Sequence, residues 1–139
     1  MSSFRSIGRV RRMRYFAEAH DAYHDIKPVR GSNVRPIGAR RNTQYQVTRK
    51  AVHPTDEGGV TTYNYCAKLY ETDLITYYPD NTVEIAMGSW TSALSMDFIG
   101  TVLGIRAWRT RGNCVFEING MPYTIKGREQ TLKLSLIHI

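Results

Sequence analysis

Arginine is the residue type whose number and placement in this chain most clearly suggest chemistry, namely the binding of anions. Residues 1–50 contain 12 basic and three acidic residues, a net charge of +9, whereas residues 51–139 carry −2. Ten of these 12 cations are Arg, whose planar guanidinium binds phosphate through two parallel hydrogen bonds. A basic segment beside a near-neutral body is typical of a polyanion-binding protein. The alternative is that the arginines provide solubility, or pack and pair with carboxylates inside the fold.

A second basic feature places an aromatic ring among cations. Trp108 has Arg106, Arg109 and Arg111 near it, and a strand here would put Arg106, Trp108 and Thr110 on one face. Proteins that bind single strands combine cations and aromatic rings in this way. The alternative is a buried Trp108 with solvated arginines. The predicted nucleic-acid-binding residues are Arg5, Arg9, Arg11, Arg12, Arg14, Arg30, Arg35, Arg40, Arg41, Arg106 and Trp108.

Other residues have side chains that could act in catalysis or bind a metal, but they lack the partners that either role requires. His20 and His24 are four apart on a predicted helix and would share a face, but His53 and His138 have no supporting spacing. Cys66 has no neighbouring base, so we expect structural burial. Residues 88–92, with Trp90, would form a turn, a helix cap and a core aromatic, or else an anion site with a stacking ring.

Several function classes have no signature here. No phosphate-binding glycine loop, zinc motif, Ser/His/Asp arrangement or dinucleotide fingerprint appears, so we predict no enzyme, no cofactor and no metal site. No apolar run approaches the roughly 18 residues of a membrane span, and no signal peptide is visible. Two cysteines fit a reducing compartment.

Two amphipathic helices and several short strands must position these residues. Phe16, Ala19, Tyr23 and Ile26 form one apolar stripe, which predicts a helix over 13–26 that ends before Pro28. The stretch 28–42 then has the composition of a basic linker, with turns at Gly31 and Gly38. Strands are predicted over 43–52, 60–70, 74–78 and 82–87, and a helix over 91–103 that ends at Gly104. Three more strands follow this helix, over 105–111, 114–118 and 121–125, with turns at Gly112-Asn113 and Asn119-Gly120.

The predicted fold class is α+β, with a short antiparallel sheet, built as a meander plus C-terminal hairpins, packed against one or two amphipathic helices. We divide the chain into a basic N-terminal arm, helix and linker over 1–42, an antiparallel α+β body over 43–133, and a tail over 134–139.

Two stretches resemble sequences of known origin. The pattern over 69–105, and more faintly that over 26–42, resembles a family of small uncharacterised proteins encoded by tailed bacteriophages, which implies a fold but no catalytic residues. The residues that carry the resemblance are Thr72, Asp73, Pro79, Asp80, Gly88, Ser89, Trp90, Thr91, Ser95, Phe98 and Ile99. The last six residues resemble the translation of a transposase adapter used in sequencing libraries, so we expect a metagenomic reading frame whose natural C-terminus is missing; the alternative is an edge strand over 132–139.

These observations favour a small phage accessory protein in the host bacterial cytoplasm, without enzymatic activity. Its expected partner is nucleic acid, bound with low specificity, or an acidic host or phage protein. A second hypothesis is a protein-interaction module, either an inhibitor of a host factor or a component of the virion. It would use an exposed sheet edge or a tyrosine-rich sheet containing Tyr63, Tyr65, Tyr77 and Tyr78. A metal-dependent enzyme using His20 and His24 is the least favoured.

Overall fold

Two helices and eight strands make up the fold, in a computed structural model that describes residues 9–52, 62–87, 93–126 and 131–135. Their order is α1 (Phe16–Asp25), β1 (Tyr45–Val52), β2 (Thr62–Leu69), β3 (Thr72–Tyr77), β4 (Thr82–Ala86), α2 (Ala93–Leu103), β5 (Arg106–Thr110), β6 (Asn113–Ile118), β7 (Met121–Lys126) and β8 (Thr131–Ser135). Every strand pair is antiparallel among the described residues, so the predicted α+β class is confirmed.

The larger sheet has five strands in the order β1-β2-β3-β4-β8, and the smaller one has the order β5-β6-β7. A row of apolar partners crosses the larger sheet through Val47, Ala67, Ile75, Ile85 and Leu132. The first four of these are fully buried, because period-two alternation puts them all on the face that the helices cover.

The helices bury the stripes that their spacing predicts. In α1, Ala19 and Tyr23 are buried and Phe16 packs against the core, with Ala22 as an additional buried residue. In α2, Phe98, Ile99, Val102 and Leu103 are buried. This helix also buries Ser95 and Met96, because it contacts β2 and β3 of one sheet and β5 of the other.

Residues 9–12, predicted as part of an arm, lie against the body together with Met13, which was predicted to begin a helix that in the structure begins at Phe16. The Arg11 N–H donates to the Ile37 carbonyl at 2.7 Å, and the Met13 N–H donates to the Val102 carbonyl at 2.7 Å. The Met13 side chain is fully buried, and its carbonyl accepts a 2.6 Å hydrogen bond from the Tyr77 hydroxyl. These hydrogen bonds fix the backbone positions of the neighbouring arginines.

The stretch predicted as a linker also joins the body. Pro36 forms an antiparallel bridge with Gln46, the Ile37 N–H donates to the Tyr45 carbonyl at 2.9 Å, and the Val47 N–H donates to the Arg35 carbonyl at 3.0 Å. The turn at Gly31 is confirmed by its positive φ of 76°. The linker therefore runs alongside β1 as a short addition to the larger sheet.

One predicted hairpin turn is wrong by one residue. Asn113 is the first residue of β6 and pairs with Thr110, so the loop is Arg111-Gly112. Both loop residues have positive φ, 52° and 82°, as a two-residue hairpin turn requires. The turn at Asn119-Gly120 and the end of α2 at Gly104 are confirmed.

The C-terminal stretch contains a strand where the sequence allowed two interpretations. β8 pairs with β4 from Thr131↔Ala86 to Ser135↔Thr82, so Thr131–Ser135 is an edge strand. Residues 136–139 lie outside the described residues, and the adapter origin of the tail stays a prediction.

Candidate nucleic-acid interface

A groove at the C-terminal end of α1 gathers basic residues from three separate parts of the chain. Arg11 comes from the segment before α1, Lys27 from the residues just after it, and Arg40 from the end of the linker. The groove has a volume of about 610 Å³, and Ile37 and Gly38 line it between the cations. We call it the basic groove.

Local backbone contacts position each of these cations. The Arg11 backbone is tied to Ile37 as described above, and the Arg40 guanidinium donates to the Lys27 carbonyl at 2.9 Å. Arg40 also donates to the Pro28 carbonyl at 3.5 Å, so it closes the turn that follows α1. Cations are favourable here because the last carbonyls of a helix carry partial negative charge.

Asp25 is the one acidic residue among those that line the basic groove. Its carboxylate lies 3.0 Å from the Arg11 guanidinium, with side-chain exposures of 63% for Asp25 and 38% for Arg11. An ion pair this exposed contributes at most about 1 kcal/mol, so an incoming phosphate can compete with Asp25 for Arg11.

Three further predicted cations point into solvent. Arg9, Arg30 and Arg41 are exposed and make no ion pair or hydrogen bond with the described residues. Arg9 lies next to the basic groove, since its carbonyl is 3.4 Å from a Cβ built on Gly38. Arg5 lies outside the described residues.

Arg12 and Arg14 lie away from the basic groove, near the C-terminal end of α2. The Arg12 side chain lies against Gly104, and Arg14 lines a groove of about 350 Å³ together with Arg106. Arg14 also pairs with Glu18 at 2.8 Å. The Glu18 carboxylate accepts the Arg14 backbone N–H as well, and the hydrogen bond from the Arg14 side chain is the largest cause that lowers the pKa of Glu18.

Arg35 turns toward the body and not toward solvent. Its guanidinium carbon lies 4.0 Å from the centre of the Tyr23 ring, and it donates to Asn33 at 2.8 Å. Its Nε is buried without a hydrogen-bond partner among the described residues. The alternative interpretation, packing inside the fold, therefore describes Arg35 better than phosphate contact.

Trp108 and Arg106 share the face that the strand pattern predicts. Trp108 is 38% exposed, and the Arg106 guanidinium lies 5.6 Å from its ring centre. Arg106 is also 3.3 Å from Glu117. The structure thus places an exposed aromatic ring beside a cation, but on the smaller sheet rather than at the basic groove.

A pocket between α1 and strands β1 and β2 collects aromatic rings that the sequence did not bring together. It has a volume of about 380 Å³ and is lined by Phe16, His20, His24, Arg49, Thr62, Tyr63, Tyr65 and Pro79. The His20 and His24 ring centres are 4.4 Å apart, and His24 Nε2 is 3.3 Å from the Tyr65 hydroxyl. We call it the aromatic pocket. Helical spacing had indicated the histidine pair, but only the packing of α1 on β2 shows Tyr65 below it.

Within the described residues, no group of three or more His, Cys, Asp or Glu side chains could hold a metal ion. The two cysteines are buried and unpaired with each other. Burial raises the pKa of the Cys66 thiol, and Asp73 raises it further. His53, His138 and the predicted cap and Trp90 at 88–92 lie outside the described residues.

Comparison with models of protein families, with curated proteins and with solved structures finds no match for this chain. In the part of the chain that the structure describes, neither helix is long and apolar enough to cross a membrane. The function must therefore be argued from the surfaces described above.

Proposed function

We propose that this chain is a small, non-enzymatic accessory protein of the tailed-phage type it resembles, which binds nucleic acid with low sequence specificity in its bacterial host. The basic groove is the proposed contact surface. The observation that carries the proposal is the convergence of Arg11, Lys27 and Arg40 on one groove from three chain segments.

Phosphate is the anion that best suits the basic groove. Arg11 and Arg40 each have more guanidinium donors than their protein partners use, since a guanidinium has five N–H groups. Lys27 adds a point charge, and exposed Arg9 extends the positive surface along the chain. Such contacts fix a backbone in place without reading bases, which gives binding of low sequence specificity.

The protein-interaction alternative loses one of the two surfaces proposed for it, the tyrosine-rich face. Tyr77 is fully buried and Tyr65 is 2% exposed, so these two rings belong to the core. Tyr78 donates to Glu84 at 2.5 Å, which raises the pKa of Tyr78 to about 12. The four tyrosines therefore do not form one exposed patch.

A salt titration tests the proposal. Labelled single- and double-stranded DNA and RNA are titrated with the protein by fluorescence anisotropy at about 50 and 200 mM salt. Three phosphate contacts on a single strand should weaken binding roughly 20-fold over this range, because each contact releases condensed counterions. Absence of binding to all of these nucleic acids at the lower salt would contradict the proposal.

The partner's identity is tested separately by capture from bacterial lysate, with and without nuclease. We expect nuclease to remove the captured material. A protein partner that survives nuclease treatment would favour the interaction-module hypothesis instead.

A further inference from the structure

We infer that the aromatic pocket binds one unpaired nucleobase of a single-stranded nucleic acid. The inference rests on the proposed function and adds to it a preference for single strands. The volume of the aromatic pocket, about 380 Å³, is within the range of small-ligand sites.

The rings of the pocket divide into a floor and an exposed rim. Tyr65 is buried and forms the floor, with Phe16 meeting it edge-on at 5.4 Å between ring centres. His20 is 48% exposed and stands at 84° to Tyr65, at 5.6 Å. The exposed His20 ring therefore offers the face on which a base can stack, beside His24.

Arg49 supplies charge complementarity. Its guanidinium lies 4.0 Å from the ring centre of Tyr63 and 4.8 Å from that of Tyr23, so two aromatic rings hold it in place. It is half-buried and makes no ion pair with the described residues. No acidic residue lines the pocket itself, and the Asp21 carboxylate lies 3.2 Å from Nδ1 of His20. A guanidinium held in this way suits the phosphate next to a stacked base.

The pocket and the basic groove are joined through α1. His24 of the pocket precedes Asp25 of the groove, and Tyr23 contacts Arg35, the neighbour of groove residue Pro36. A strand whose phosphates follow the groove can thus reach the pocket with a base. Duplex bases are stacked on each other and cannot enter, whereas unpaired bases can stack on side chains.

The test compares two strands of equal length, an oligothymidylate and an abasic deoxyribose-phosphate strand, which carry the same phosphates. We expect the wild-type protein to bind the oligothymidylate about tenfold more tightly, because a stacked base adds affinity that phosphates do not. Equal affinity for the two strands would overturn the inference and leave the proposed function standing. Failure of both strands to bind at low salt would instead overturn the proposed function.

Two substitutions of the exposed residue His20 distinguish base stacking from metal binding as the role of the pocket. His20→Ala should remove the preference for the oligothymidylate, whereas His20→Phe should keep it, because Phe retains a flat ring without ligand nitrogens. Zinc alone is the second probe, followed by NMR shifts of the His20 and His24 ring protons. Loss of the preference in both variants, together with zinc shifts in the wild type, would assign the pocket to a metal and overturn the inference.

Discussion

The arginine side chains differ in what they contact, and this difference decides which of them suit the proposed phosphate contact. Arg35 lies over Tyr23 and Arg14 pairs with Glu18, whereas Arg40 bonds only to backbone carbonyls and Arg9 points into solvent. The residue types and the overall charge asymmetry are visible in the sequence. The partners of several guanidinium groups are not visible there, because they are tertiary neighbours such as Asp25, which pairs with Arg11 from 14 residues away.

Asp25 gives a residue-scale prediction with a distinctive sign. Asp25→Asn removes the negative charge from the basic groove and frees Arg11, so we expect nucleic acid to bind about two- to fivefold more tightly at low salt. Anisotropy titration measures this. Glu71→Gln, an exposed site in the turn between β2 and β3, makes the same change in net charge and should have a smaller effect. Unchanged or weaker binding by Asp25→Asn would contradict a phosphate site at this groove.

Glu18 gives a prediction about pH. Hydrogen bonding to Arg14 lowers the pKa of Glu18 below its ordinary value of 4.5, so its stabilising effect is present above that value and is lost as pH falls through the lowered folded-state pKa. Glu18→Gln should therefore lower the thermal unfolding midpoint at pH 7 and leave it unchanged at about pH 2. Glu71→Gln is the control and should match the wild type at both values of pH. An equal drop in the unfolding midpoint of Glu18→Gln at both values of pH would show that Glu18 stabilises the fold through packing and not through its charge.

At the scale of elements, local patterns predicted most of the fold. The buried faces of α1, α2 and β4 follow from helical and alternating spacing, and Asn119-Gly120 marks its hairpin. The attachment of residues 9–13 and 35–37 was not predictable in this way. Those contacts are backbone hydrogen bonds to distant residues, Val102 and Tyr45 among them, and backbone pairing leaves no side-chain pattern.

The end of α2 gives an element-scale prediction. Gly104 has a φ of +69° and ends the helix, so Gly104→Ala should cost about 1–2 kcal/mol of unfolding free energy. Gly112→Ala is the matched comparison, because Gly112 has a φ of +82° with nothing within 4 Å of an added Cβ. A Cβ at Gly104 would also meet the Arg12 side chain at 3.1 Å, so urea unfolding should show a loss for Gly104→Ala at least as large as that for Gly112→Ala. An unchanged stability for Gly104→Ala would mean that α2 does not end in a left-handed residue.

For the whole molecule, the structure places the positive charge unevenly. The basic groove and the aromatic pocket both border α1, while Lys68 and Lys133 lie on the face of the larger sheet opposite the helix. The sequence predicted a basic N-terminal half and the α+β class. It could not predict that Arg40 lies beside Lys27, because that proximity arises only when the linker folds back along β1.

The most direct test of the basic groove compares two triple variants with the same loss of charge. Arg11→Gln, Lys27→Gln and Arg40→Gln change the groove, whereas Lys68→Gln, Arg111→Gln and Lys133→Gln change cations elsewhere. Circular dichroism first establishes that both variants are folded, and single-strand affinity is then measured as a function of salt. We expect the negative slope of log affinity against log salt to become shallower by about two in the groove variant, because three phosphate contacts are lost. The control variant should keep the wild-type slope. Equal slopes for the two triple variants would contradict the groove as the site where nucleic acid binds.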